Sequence, residues 1–136
     1  MILLTPELRE RLLANGRDRD ADHVPVIRFF NPVGAGTWLV TELDEDGDTL
    51  FGLADLGFGC PELGSLSRFE LQSIRLAFGL GIERDLLFIG QFPLSTCADA
   101  ARLAGSIPAG ERSLTDAPGG GHRRVGSCPS EGEEEG

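Results

Sequence analysis

The apolar and polar positions change period several times along the chain. In residues 5–16, Leu8 and Leu12 fall one helical turn apart while Glu7 and Arg11 pair at i,i+4 on the outside, which predicts a helix. Thr5 suits the N-cap, Pro6 the first helical position and Gly16 the stop. The charged run RDRDAD (17–22) has no apolar anchor and reads as a solvated loop. VPVIRFF (24–30) is β-branched and aromatic and predicts a strand, with Pro25 delaying the start of pairing.

Two further strands, 37–43 and 49–55, flank the acidic turn DEDGD and form the centre of the predicted fold. Period-2 alternation places Trp38, Val40 and Glu42 on one face of the first, and Phe51 with Leu53 on one face of the second. Gly52 between them marks a bulge or a close approach. A short strand at 62–66 follows a Gly-rich loop, and Ser67-Arg68-Phe69-Glu70 reads as a capping box opening a helix to about residue 76. IERDLLFI (82–89) predicts a last strand, and Ser95 caps a helix that Gly105 ends. The expected fold is α+β: an antiparallel sheet of four to five strands with helices at 5–16, 67–76 and 95–104 covering one face.

Residues 106–136 are rich in Gly, Ser, Pro and Glu and nearly free of large apolar side chains. They predict a disordered tail after a single domain at 1–105, whose removal leaves stability nearly unchanged. Net charge is −10, with no Lys, and residues 1–105 alone hold 16 acidic side chains against 9 Arg. Such a surface repels a phosphate backbone, which excludes a basic nucleic-acid groove and leaves mimicry of nucleic acid toward a basic partner as a minor reading. The three Cys have no CxxC spacing and read as free thiols, neither a disulfide framework nor a zinc cluster. No signal peptide and no membrane span is read, so a cytoplasmic protein is expected.

The acidic turn alternates Asp44, Asp46 and Asp48, but its Gly precedes the third Asp and its flanks are strands, so turn chemistry explains it better than calcium. His23 and His122 have no partners at ligand spacing, and neither Gly34-Ala35-Gly36 nor Gly79-Leu80-Gly81 completes a phosphate loop. No metal and no cofactor is read. Glu83 and Asp85 share a strand face with Arg84 opposite: either a carboxylate pair for acid/base chemistry or ion-pair partners for Arg28 or Arg75. The candidate binding residues are Trp38, Glu42, Asp55, Glu83, Arg84 and Asp85, with Trp38 itself reading as core before contact.

Three strings in order, FFNPVGAGTWLVTELDEDGDTLFGLADLG (29–57), ELGSLSRFEL (62–71) and GLGIERDLLF (79–88), resemble a bacterial family catalogued as domain of unknown function 2958. The opening LLTPELRERL (3–12) is also similar to its usual start. The resemblance implies genes carried on plasmids and integrative elements, and no activity, substrate or catalytic residue. The leading expectation is a small acidic, non-enzymatic accessory protein of a mobile element that acts through a protein partner. The alternative is a small enzyme or ligand-binding domain using a carboxylate and Arg cluster.

Overall fold

The computed structural model describes residues 2–116. Its elements are α1 (Pro6–Gly16), β1 (Ile27–Phe30), β2 (Thr37–Leu43), β3 (Thr49–Asp55), β4 (Glu62–Ser67), α2 (Arg68–Ser73), a 3-10 turn (Ala77–Gly79), β5 (Glu83–Arg84), α3 (Leu94–Ala104) and α4 (Ile107–Asp116). The strands form one five-stranded sheet in the order β4-β3-β2-β1-β5, every neighbouring pair antiparallel. The α+β class and the meander at its centre are as the periodicity predicts.

The helices, however, cover both faces. On one side, Leu12 and Leu13 of α1 pack with Ile27, Phe29, Trp38, Val40, Leu43 and Leu50. On the other, Leu94, Ala98 and Ala101 of α3 and Ile107 of α4 pack on Leu39 and Leu53. Every residue of the central strand β2 is therefore buried, and its alternation separates two cores instead of core from solvent.

A bulge interrupts that alternation. The β2–β3 register shifts between Val40 and Glu42, which leaves Thr41 without a cross-strand partner. The bulge is tied down from both sides: the Asn15 side chain donates to the Thr41 carbonyl (2.9 Å), and the Thr41 hydroxyl donates to the Phe51 carbonyl (3.3 Å). Beyond it, Leu43 pairs with Leu50 in the α1 core, while Glu42 pairs with Phe51 on the α3–α4 face. Trp38 and Glu42 thus lie on opposite faces, which corrects the shared face expected from strict period-2 counting. Gly52 sits across from the bulge, where a Cβ would run into the Leu39 carbonyl.

Residues 107–116 are a helix, where the sequence predicts the start of a disordered tail. Ile107 is fully buried against α3, and the Ile107 N–H donates to the buried Asp55 carboxylate (2.8 Å). Glu111 clamps Arg28 of β1 through three hydrogen bonds of 2.9–3.2 Å. The rest of the expected tail, from residue 117, lies outside the described residues. Cys97 is a free, half-buried thiol, but Cys60 is disulfide-bonded, against the expectation of a free thiol.

Candidate interaction site

β5 ends after two residues, well short of the strand expected to reach Ile89. The cause is Asp85. Its N–H still continues the ladder to the Arg28 carbonyl (2.8 Å), but its carboxylate accepts from the Leu87 N–H (3.0 Å) and turns the chain away from the sheet. Leu86 and Leu87 occupy the tip of this turn, 67% and 90% exposed. Phe88 returns to pack against the α3–α4 core, and Ile89 stands out again at 77%. Gly90 then passes so close to the Pro25 carbonyl and the Val24 side chain that no Cβ would fit. The apolar turn is thus fastened at both ends, by Asp85 and by Gly90.

Behind it stands a polar brace. The Arg28 guanidinium lies 3.7 Å from the Asp85 carboxylate and makes its fork-like contact with Glu111. One arginine therefore joins β1, the root of the turn and α4. Two depressions flank Phe88–Gly90. The larger, about 420 Å³, lies between this segment, α1 and residues 23–26 and includes Arg11, His23 and Val24. The smaller, about 150 Å³, is mainly apolar and lies toward α4, with Phe92, Cys97 and Leu114 in its wall. Burial first, then the nearby carboxylates of Glu111 and Asp22, push the Cys97 thiol up to about 11. At neutral pH it is a protonated, weakly nucleophilic wall residue.

The residues singled out from the sequence divide between this brace and other places. Asp85 is its pivot, and Glu83 and Arg84 form the short strand that leads into it, paired with Phe30 and Phe29. Asp55 lies in a separate glycine-rich cleft of about 440 Å³ that also reaches Arg28, Thr37 and Ser106. Both its oxygens are engaged, one by the Gly57 N–H (2.9 Å) and the other by Ile107. Trp38 belongs to the α1 core. Glu42 lies in a further depression with Arg19, Asp44, Phe51 and Ser65, its pKa raised by burial and only partly offset by His23 and Arg19.

The six residues are spread over these separate places, and the Asp55 and Asp85 carboxylates are engaged by backbone N–H groups, with Arg28 beside Asp85. Among the described residues no group of three His, Cys, Asp or Glu side chains is placed to hold a metal ion. The acidic turn closes on itself: Asp46 accepts from the N–H groups of Asp48 and Thr49 and from the Thr49 hydroxyl, and these bonds lower its pKa.

The exposed turn residues Leu86, Leu87 and Ile89 escaped sequence reasoning because an unbroken apolar run fits a buried strand equally well. The Asp immediately before the run was the available signal, since Asp favours a side-chain-capped turn.

A family model matches residues 3–108, which takes in every strand, the first three helices and the first two residues of α4. The chain belongs to the family described as protein of unknown function (DUF2958). No curated protein and no solved structure matches it. For this DUF2958 member, as for the resemblance read from its sequence, the family supplies no activity. Among the described residues no helix is long and apolar enough to cross a membrane.

Proposed function

We propose that this DUF2958 protein is a non-enzymatic interaction module that docks a protein partner through the turn Leu86–Ile89. The observation that carries this reading is the braced presentation of three large aliphatic side chains to solvent, beside two hollows of about 420 and 150 Å³. Contiguous exposed apolar groups on a fixed backbone are what an interface core requires, because little conformational freedom is lost on binding. The surrounding net charge of −10 favours a partner with a basic rim around an apolar pocket. The bacterial and mobile-element setting implied by the resemblance, and a cytoplasmic location, belong to this proposal too: an accessory protein acting on a component of its own element or host.

The test is affinity capture from native-host lysate with the full-length chain and with a variant combining Leu86→Ser, Leu87→Ser and Ile89→Ser. The substituted positions are exposed, so the variant keeps the wild-type melting transition. Wild type recovers a stoichiometric partner that the variant loses. A partner retained by the variant, or none recovered by wild type, overturns the proposal.

A further inference from the structure

β4 is the outermost strand at the end of the sheet opposite β5. It pairs with β3 over six consecutive positions, from Ala54↔Glu62 to Thr49↔Ser67, without a register shift. Among the described residues its other edge carries no strand. Natural edges are usually blunted by shortness, a bulge, Pro or Lys. β5 is blunted in this way, being two residues long and ended by the Asp85 turn. β4 has none of these devices: Pro61 precedes it, no bulge breaks it, and the chain has no Lys. Leu63 and Ser65 are exposed, and at Gly64 a Cβ would meet nothing within 4 Å.

We infer that β4 pairs antiparallel with β4 of a second copy of this chain, about a two-fold axis at Ser65, to make a continuous ten-stranded sheet. The strand and its flanks are self-complementary about that axis. A two-fold at Ser65 sets Glu62 opposite the second copy's Arg68, and the symmetry repeats the pair at the other end. Arg68 donates its Nε–H to the Gly47 carbonyl (3.0 Å), and its two terminal amino groups face no carboxylate within ion-pair distance among the described residues. Charge that is unmatched among the described residues thus matches between two copies. The axis lies at the opposite end of the sheet from the Leu86–Ile89 turn, so the inference stands independently of the proposed function, and the dimer displays two such turns.

Sedimentation of the full-length chain tests this together with two substitutions at the exposed Ser65. Wild type sediments at twice the chain mass. Ser65→Asp places like charges across the axis, weakens the dimer at least about tenfold and leaves the melting transition of the monomer fold intact. Ser65→Cys, oxidised under conditions where wild type and Ala14→Cys stay unlinked, gives a disulfide-linked dimer, because residues facing each other across paired strands lie within disulfide reach. A wild-type monomer at every concentration, a dimer indifferent to Ser65→Asp, or no linkage through Ser65→Cys overturns the inference.

Discussion

At position 42 a carboxylate sits 9% exposed beside Phe51, and burial raises its pKa. A raised carboxyl pKa means that ionisation is harder in the folded chain than in the unfolded one. The resulting penalty is absent at pH values below the ordinary 4.5 and develops as pH rises through the folded value. Glu42→Gln removes the charge, so the variant is more stable than wild type at pH 7 and the difference closes on acidification to pH 3.5, read by urea unfolding at each pH. A difference that grows on acidification contradicts the burial argument. Trp38 in the core was legible from the sequence, because a large aromatic among β-branched neighbours on a strand packs inward. The face of Glu42 was not: one bulged residue, Thr41, reverses every position after it, and no local residue pattern announces on which strand the extra residue lies.

Among the elements, the helices that follow the central hairpin share a device. Asp48 accepts from the Phe69 N–H (2.8 Å) at the start of α2 and from the Ser67 hydroxyl, which itself caps that helix. Asp22 accepts from the Ser95 N–H (3.1 Å) and hydroxyl at the start of α3, so Ser95 is a donor there and not the N-cap expected. Asp55 accepts from Ile107 at the start of α4. Part of the acidic excess thus satisfies helix N-termini from far along the chain, where negative charge also complements the helix dipole.

Capping of this kind leaves little local signature, which is why α1, with its own Thr5 cap donated to by the Leu8 N–H, was legible and α4 was not. The polar, Gly-containing sequence of α4 lacks strong helix-forming pattern, and its stability comes from Ile107, Asp55 and the Arg28–Glu111 clamp. Ile107→Ala is expected to cost roughly 3 kcal/mol in chemical denaturation. Ending the chain at Gly105 costs more, because Leu39, Leu53, Ala98 and Ala101 lose their cover and Arg28 its clamp. Unchanged unfolding on truncation would show that α4 does not dock.

Across the whole molecule, the sheet divides the protein into two cores and two unlike ends. At one end β4 pairs over six residues without a bulge; at the other, Asp85 cuts β5 short and throws out an aliphatic turn anchored through Arg28 to α4. Of the polar residues that drew attention in the sequence near 83–85, Asp85 holds the turn in place, and the apolar residues beside it are the ones exposed to solvent. Site-specific photocrosslinking in native cells tests this most directly, with a photoreactive side chain at Leu87 and, as control, at Glu7 on the exposed side of α1. One discrete crosslinked product is expected at position 87 and none at position 7. The same product from both positions, or none from position 87, contradicts it.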